Sequence, residues 1–257
     1  MLKIKKILIS QPQPSTERNP YADMAAKYGV TFDFRQLIKI VQYTAKEFRA
    51  EKIQILDHTP IIFNSRHGID NFFHLCEELR IKIPESMKYF CVSEKIANYL
   101  QKYIQYRKRK VFFPTDGNSM ERLKPILAKH ATEKYLIVTS DVSSNDLMDE
   151  FAALKLHVDK AVMYHTVSNV TVEGQDLDYD LVVFYTPSGV ESFLKHFPNF
   201  EQGEMYIGCL GSNTATAIRN AGLRLDIEVP SAQFKSISEA IDAFLKENHK
   251  RQRPAKK

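Results

Sequence analysis

The sequence predicts an α/β protein made of two similar parallel-sheet domains, a tandem duplication of one α/β unit. Two observations support this prediction. Strand-like apolar runs alternate with amphipathic helical stretches along most of the 257 residues, and three pairs of segments resemble each other. A chain of this length is long enough for two α/β domains, each with its own core.

The first pair of matching segments joins Pro60–Phe73 with Leu181–Leu194. In both segments an apolar strand ends in phenylalanine, a hydroxyl residue and a glycine follow, and an amphipathic helix begins. Such apolar strands are typical of a parallel sheet that is covered on both faces. Each segment therefore predicts a strand, a turn and a helix.

The other two pairs lie on either side of the first in the repeating unit. Tyr89–Ala97 matches Ile207–Ala215, again a strand that leads into a helix. Ile7–Ser10 with a helix to Tyr28 matches Leu136–Thr139 with a helix to Leu154. Three correspondences of the same kind predict duplication rather than coincidence.

Small polar residues follow several of the predicted strands, at Asn64-Ser65, Thr186–Ser188 and Ser212–Thr214. In open parallel sheets, ligands bind beyond the carboxyl ends of the strands, where helices begin. The first amides of a helix are unpaired and favour anions. The plainer alternative is that these residues only cap their helices.

The formal net charge of +5 arises in the C-terminal tail. Without its five basic residues, the chain is formally neutral; they are Lys250, Arg251, Arg253, Lys256 and Lys257. We expect 251–257 to form a disordered basic tail, which is weak evidence for nucleic acid. Arg107–Lys110 is a second basic run, interpreted either as a functional patch or as the solvated end of a helix. No long apolar segment and no signal peptide is evident, so a cytoplasmic protein without membrane partners is expected.

Common cofactor and nucleophile motifs are absent from the sequence. It contains no Gly-x-Gly-x-x-Gly after a strand, no phosphate-binding Gly-x-x-x-x-Gly-Lys, no His-Glu-x-x-His and no Gly-x-Ser-x-Gly. Asp176, Asp178 and Asp180 are spaced like the start of a calcium loop, but Leu181 stands where the glycine is needed. The three cysteines are scattered, which excludes a disulfide framework or a zinc site. If the protein is an enzyme, it is expected to work without a metal or a covalent nucleophile.

Several of these segments together resemble the uroporphyrinogen-III synthase family. The resemblance rests on Phe184–Gly189, on Gly211–Ala215 followed by Ala221–Leu223, and on Val162–Val167 as the family's Val-Tyr-x-Thr strand. It covers nearly the whole chain. It implies two α/β domains that face each other across a cleft and are joined by a two-stranded linker.

The resemblance also implies domain boundaries. Residues 1–36 and 169–250 would form one discontinuous domain, and 43–162 the other. Residues 37–42 and 163–168 would be the linker strands.

The activity implied by the resemblance is the cyclisation of hydroxymethylbilane, a linear tetrapyrrole, to uroporphyrinogen III, with inversion of ring D and loss of water. No cofactor is implied, and a monomer that binds a small molecule and no nucleic acid is expected. Tyr164 matches the family's tyrosine proposed to assist the leaving group. The alternative is that Tyr164 only packs on a linker strand. The residues expected to bind substrate carboxylates are Asn64, Ser65, His67, Thr186, Ser188, Ser212, Asn213 and Thr214.

Two turns depart from the family pattern. The first, usually Thr-Arg-Pro, is Ser10-Gln11-Pro12, and the N-terminal copy of Gly-x-x-Thr-Ala is Ser93–Ala97. Glu94 would repel carboxylates unless Lys95 offsets it, so most substrate contacts are expected at the Thr186 and Thr214 turns. Two other functions stay open at this stage: a non-catalytic two-lobed protein that binds a small anion, and a nucleic-acid-binding protein.

Overall fold

The computed structural model describes residues 3–14, 19–117, 119–143, 146–169 and 177–252, and the side chains up to residue 250. The chain divides into two compact units. Unit 1 comprises Met1–Lys39 and Ser168–Lys257, and unit 2 comprises Ile40–Val167. The chain therefore enters unit 2 after Lys39 and returns to unit 1 after Val167.

The strands are β1 (Lys6–Ile9), β2 (Thr31–Phe34), β3 (Ile38–Gln42), β4 (Pro60–Phe63), β5 (Lys88–Cys91), β6 (Val111–Phe112), β7 (Lys134–Ser140), β8 (His157–Ser168), β9 (Leu181–Phe184), β10 (Tyr206–Leu210) and β11 (Ile227–Val229). The helices are α1 (Pro20–Tyr28), α2 (Ala45–Ala50), α3 (Arg66–Glu78), α4 (Glu94–Tyr99), α5 (Met120–Ala128), α6 (Asp146–Ala153), α7 (Pro187–His196), α8 (Ser212–Asn220) and α9 (Ile237–Gln252). Short 3₁₀ turns lie at Ile55–Asp57 and Leu100–Lys102.

The strands form one sheet in each unit. The sheet of unit 1 has the order β11-β10-β9-β1-β2, and that of unit 2 has the order β3-β8-β7-β4-β5-β6. The pairs from β11 to β2 and from β8 to β6 are parallel. The predicted α/β class with parallel sheets is confirmed.

The three pairs of matching segments occupy equivalent strands of the two sheets. β9, β10 and β1 of unit 1 correspond to β4, β5 and β7 of unit 2. In unit 1 the order β10-β9-β1-β2 matches the order β5-β4-β7-β8 in unit 2. The two units thus share a strand order. Along the chain, β1 and β2 precede the other strands of unit 1, whereas the equivalent strands of unit 2, β7 and β8, follow the others.

A buried apolar cluster covers each face of each sheet, which explains why the central strands are apolar throughout. In unit 2, Phe63 and Phe72 belong to the cluster that includes α3, while Tyr135 and Phe151 belong to the cluster on the opposite face. In unit 1, one cluster includes residues of α1 and α9, and the other includes residues of α7 and α8. This layering makes the strand ends and helix starts the exposed edge where side chains can meet a ligand.

The repeated hydroxyl-x-x-Gly pattern has a geometric cause at the start of α3 and α7. The Ser65 hydroxyl accepts a hydrogen bond from the Gly68 amide at 2.9 Å, and the Thr186 hydroxyl accepts one from the Gly189 amide at 3.0 Å. A Cβ atom at Gly68 or Gly189 would lie 3.3 or 3.1 Å from the capping oxygen. Glycine therefore lets the cap approach its amide closely.

Two segments differ in extent from their predicted bounds. The expected second linker strand, 163–168, is the last part of the longer strand β8, which begins at His157. The helix α9 continues to Gln252, past residue 251 where the basic tail was expected to begin. The rest of that tail, 253–257, lies outside the described residues. Within the described ranges, no helix combines the length and apolar character needed to cross a membrane.

Candidate functional site

A β-bulge fixes the position of Tyr164. Thr139 of β7 pairs with Val162 of β8, but the next residue, Ser140, pairs with Tyr164, so that Met163 is the extra residue. Side chains alternate between the faces of a strand, and an extra residue reverses that alternation. Met163 and Tyr164 are therefore both part of the core cluster on the α3 face. Without the bulge, Tyr164 would lie on the opposite face with Val158.

The bulge brings the phenol of Tyr164 to the start of α3. Its hydroxyl lies 3.2 Å from the Ser65 hydroxyl, which also caps α3. Tyr164 is buried, with 7% of its surface exposed. Of the unit 2 residues predicted for the site, the structure thus brings Tyr164 and Ser65 together.

The surroundings of Tyr164 act on its pKa in opposite directions. Burial raises the pKa of the phenol and is the largest effect, while hydrogen bonds from Ser65 and Ser140 lower it and the negative charge of Asp141 raises it. The net pKa lies above its ordinary value, so Tyr164 is a neutral phenol at physiological pH. A neutral phenol is suited to donate a proton or a hydrogen bond to an oxygen that leaves.

His165 lies next to Tyr164 in the chain and joins two carboxylates. Its Nδ1 lies 2.8 Å from Asp141 Oδ2, and its Nε2 lies 3.2 Å from Glu47 Oε1. The hydrogen bond with Asp141 is the largest cause of the raised pKa of His165; burial opposes it, and the hydrogen bond with Glu47 adds to the rise. Glu47 also closes a capping box with Thr44 at the start of α2. The cluster ties α2, the end of β7 and β8 together beside the phenol.

This cluster predicts a pH dependence of stability. Because the pKa of folded His165 lies above 6.5, its stabilisation is fully present below the unfolded pKa and is lost as pH rises through the folded pKa. We expect the wild-type free energy of unfolding to fall more between about pH 6 and about pH 9 than that of His165→Gln. Urea unfolding at both pH values measures this difference, with the exposed His74→Gln as control. Equal pH dependence in wild type and His165→Gln would contradict the prediction.

Asn64 and His67 flank Ser65 at the same turn but are not in hydrogen-bonding contact with Tyr164 in the described part of the chain. The Oδ1 atom of Asn64 is buried and has no hydrogen-bond partner among the described residues. His67 is exposed, and its carbonyl oxygen accepts a hydrogen bond from Asn71 at 2.8 Å. The neighbouring Arg66 lies over the ring of Tyr99, 5.3 Å from its centroid.

In unit 1, Thr186 and Ser188 lie at the turn between β9 and α7. Thr186 caps α7 and Ser188 is half-buried one position into the helix after Pro187. The preceding Tyr185 is held by its amide, which donates to Ser10 Oγ at 3.1 Å, and by its hydroxyl, 2.9 Å from that of Tyr21. Ser10, in the first turn that departs from the family pattern, therefore supports the Thr186 turn.

The start of α8 differs from the starts of α3, α4 and α7. Its N-cap is Gly211, at φ +93°, and no side chain caps its amides in the described structure. Ser212 and Asn213 are exposed, whereas Thr214 is buried. A Cβ atom at Gly211 would lie 3.9 Å from Thr214 Oγ1, so the Thr214 hydroxyl points back towards the first turn. Uncapped first-turn amides with a hydroxyl beside them form a favourable place for a carboxylate.

The equivalent turn in unit 2 lacks this opportunity. Ser93 caps α4 by accepting a hydrogen bond from the Ile96 amide at 3.4 Å, and Glu94 is the first residue of the helix. A carboxylate already stands where an anionic ligand would approach the helix start. This capped and acidic turn is a physical reason to expect few substrate contacts at Ser93–Ala97.

The cysteines and possible metal ligands of the described structure offer no further catalytic group. Burial raises the pKa of the thiols of Cys76 and Cys91 to about 12 each, and burial is also the main cause that raises the pKa of Cys209 to about 11. Such thiols are poor nucleophiles. No group of three or more metal-ligating side chains occurs within the described ranges; Asp176 of the acidic run lies outside them.

A cavity of about 480 Å³ in unit 2 lies at the other end of the strands. It is lined by Met87 and Tyr89 at the start of β5, together with Phe73, Tyr103 and Arg107. Tyr164 and the helix starts instead lie at the carboxyl ends of the strands, where ligands of parallel sheets bind. The cavity is therefore not part of the candidate site.

The sequence-based prediction missed Ser140, Asp141, His165 and Glu47. Thr44-x-x-Glu47 is a readable capping-box pattern, and His165 adjoins Tyr164, so both carried a local signal. Ser140 and Asp141 carried none, because their closeness to Tyr164 depends on the pairing of β7 with β8.

Comparison with known proteins identifies a matching family. The family model described as HEM4, uroporphyrinogen-III synthase HemD, matches residues 19–239. No match was found among curated protein sequences.

Two solved structures are similar in fold. A mutant uroporphyrinogen III synthase from the extremely thermophilic bacterium Thermus thermophilus has a TM-score of 0.62 and 12% identity, covering 96% of this chain and 100% of that one. The uroporphyrinogen-III synthetase from Helicobacter pylori has a TM-score of 0.60 and 17% identity, covering 95% of this chain and 100% of that one. The family model spans most of the sequence and the folds agree, so this chain belongs to the uroporphyrinogen-III synthase family, a family of lyases.

Proposed function

We propose that this protein cyclises hydroxymethylbilane to uroporphyrinogen III, with inversion of ring D and loss of water. The observation that carries the proposal is the buried phenol of Tyr164, hydrogen-bonded to Ser65 at the carboxyl ends of the strands in a member of this family. We further propose that it acts as a cytoplasmic monomer and binds no nucleic acid.

Tyr164 is proposed to assist the departure of the terminal hydroxyl group. The carbon–oxygen bond breaks with both electrons going to oxygen, and the phenol proton moves to that oxygen, so that water leaves. The electron-rich pyrrole supports the carbocation that forms. The substituted carbon of ring D then attacks this carbon and gives a spiro intermediate. The bond from that ring D carbon to its original bridging carbon breaks, and the unsubstituted carbon of ring D bonds to the bridging carbon, which inverts ring D.

The start of α8 is proposed to bind a carboxylate of the substrate. Its first-turn amides have no side-chain cap in the described structure, and Ser212, Asn213 and Thr214 add polar groups beside them. Oriented helix amides and neutral hydroxyls bind an anion without requiring a nearby cation. This accords with the absence of arginine and lysine from the first turn of α8.

The remaining predicted residues have supporting roles in the proposal. The Thr186 hydroxyl accepts from the Gly189 amide but retains its own proton for a substrate carboxylate, and Ser188 stands one residue into the same helix. Asn64 and His67 are proposed to contact the substrate from the turn that carries Ser65. Membership of the family favours the cyclisation over a non-catalytic anion-binding function.

Product analysis tests the function. Purified protein supplied with freshly prepared hydroxymethylbilane should yield the type III isomer, whereas uncatalysed closure yields type I. The isomers are separated chromatographically after oxidation to porphyrins. Exclusive formation of the type I isomer by well-folded protein would overturn the proposal.

A further inference from the structure

The hydroxyl groups of Ser65 and Ser140 converge on Tyr164 from two different elements. Ser65 lies at the start of α3, with its Oγ 3.2 Å from the phenol oxygen. Ser140 is the last residue of β7 and pairs directly with Tyr164 because of the bulge. The side chain of Ser140 also lowers the pKa of the phenol, an effect that requires it to lie near the phenol oxygen. Ser140 is buried and Ser65 is half-buried, so water competes weakly for both hydroxyls.

Ser65 has its hydroxyl proton available for a second hydrogen bond. Its oxygen already accepts the Gly68 amide at 2.9 Å. In the described structure, the other partner of this hydroxyl is the phenol oxygen of Tyr164. If Ser65 donates to the phenol oxygen, its hydroxyl is used both as acceptor and as donor. The phenol proton of Tyr164 is then free to point elsewhere.

We infer that Ser65 and Ser140 are positioning residues for Tyr164, which donate hydrogen bonds to its phenol oxygen and so direct the phenol proton to the leaving hydroxyl of the substrate. This inference rests on the proposed cyclisation. It changes the role of Ser65 from a substrate contact to a group that acts through Tyr164, and it adds Ser140 to the site.

The two serines also stabilise the charge that develops during the reaction. As the phenol proton moves to the leaving oxygen, negative charge develops on the Tyr164 oxygen, and a hydrogen bond to a charged oxygen is stronger than one to a neutral oxygen. When the macrocycle closes, the unsubstituted carbon of ring D that forms the last bond loses its proton, and this proton restores the phenol. The hydroxyl and one hydrogen thus leave as water, with no net change in the protein.

Charged groups near Tyr164 also act on the pKa of its phenol. Asp141 raises the pKa of the phenol, and its own negative charge is opposed by His165, which also meets Glu47 of α2. The start of α3 carries the exposed Arg66 and His67. Ser65 and Ser140 are the groups whose hydrogen bonds lower the pKa against burial.

Four variants test the inference: Ser65→Ala, Ser65→Thr, Ser140→Ala and the control Ser93→Ala. Ser93 caps α4 as Ser65 caps α3, but its hydroxyl hydrogen-bonds the Ile96 amide rather than Tyr164. We expect kcat to fall about tenfold in Ser65→Ala and several-fold in Ser140→Ala, with little change in KM, since each loses a hydrogen bond to a charged oxygen. Ser93→Ala should retain wild-type kcat. Ser65→Thr should restore it, because threonine fills the equivalent cap of α7.

A second readout does not depend on activity. In protein labelled with fluorotyrosine, the Tyr164 signal is identified by its loss in Tyr164→Phe and titrated by fluorine NMR. The pKa of Tyr164 should rise in Ser65→Ala and in Ser140→Ala, and stay unchanged in Ser93→Ala. Ser140 caps no helix, so Ser140→Ala still decides the matter if Ser65→Ala fails to fold.

The outcomes separate this inference from the proposed function. If wild-type protein forms the type III isomer but Ser65→Ala and Ser140→Ala match Ser93→Ala in kcat and in Tyr164 titration, the inference is wrong and the function stands. If wild-type protein forms only type I, the proposed function itself is wrong.

Discussion

Tyr164→Phe is expected to lower kcat about 100-fold or more while changing KM less than about threefold, because a positioned general acid contributes on the order of 100-fold to 10,000-fold. The substitution removes the phenol proton but keeps the ring that packs in the α3-facing core. An interaction that matters mainly in the transition state affects kcat much more than KM. Steady-state measurement of type III product formation over a range of substrate concentrations gives both parameters.

The control for this prediction is Tyr135→Phe. Tyr135 is a fully buried tyrosine of the same unit, on the opposite face of the sheet, and its hydroxyl donates to the carbonyl oxygens of Leu127 and His130 at 3.1 and 3.2 Å. Its loss should cost about 1 kcal/mol of stability and leave kcat unchanged. If Tyr164→Phe retained a kcat within about threefold of wild type, Tyr164 would have no part in proton transfer.

Ser212→Asp is expected to raise KM about 10-fold to 100-fold without lowering the free energy of unfolding. Ser212 is exposed and is the first residue of α8, so aspartate fits there without disturbing the core. A carboxylate at a helix start is stabilising by about 0.3–1 kcal/mol. The same carboxylate occupies the proposed anion site and repels the substrate. Binding and stability should therefore change in opposite directions, which simple damage to the fold would not produce.

The matched control is Asn220→Asp, at the last position of the same helix. It introduces the same charge at an exposed residue, about 12 Å from Ser212 along the helix axis. Aspartate at a helix end opposes the helix dipole, so stability should fall slightly while KM stays at the wild-type value. Steady-state kinetics and urea unfolding of the two variants measure these effects. A KM of Ser212→Asp within twofold of wild type would show that α8 does not bind a substrate carboxylate.

The elements that carry the site were predictable because their signals are local. Apolar strands followed by a hydroxyl, two residues and glycine predicted the turns before α3 and α7, and both hydroxyls cap their helices as hydrogen-bond geometry requires. Gly211-x-x-Thr214 predicted the start of α8 in the same way. A capping residue acts within one turn of itself, so its pattern can be read without knowing the fold.

The partners of Tyr164 were not predictable in this way. Regular alternation along Val158–Tyr164 places Tyr164 on the face opposite α3, and the bulge at Met163 moves it to the α3 face. Where a bulge forms depends on the register of β7 with β8. That register also brings Ser140 and Asp141 to the phenol and its neighbour His165.

The sequence by itself determined the duplicated α/β unit, its buried strands and the polar helix starts that follow them. These features depend on apolar periodicity and on contacts between residues a few positions apart. Only the tertiary structure decided that Tyr164 meets Ser65 and Ser140, that His165 joins Asp141 to Glu47, and that the start of α8 is left without a side-chain cap among the described residues. The physical reason is that these arrangements depend on strand pairing, on a bulge and on the backbone angle of Gly211, and each is fixed by neighbours distant in the chain.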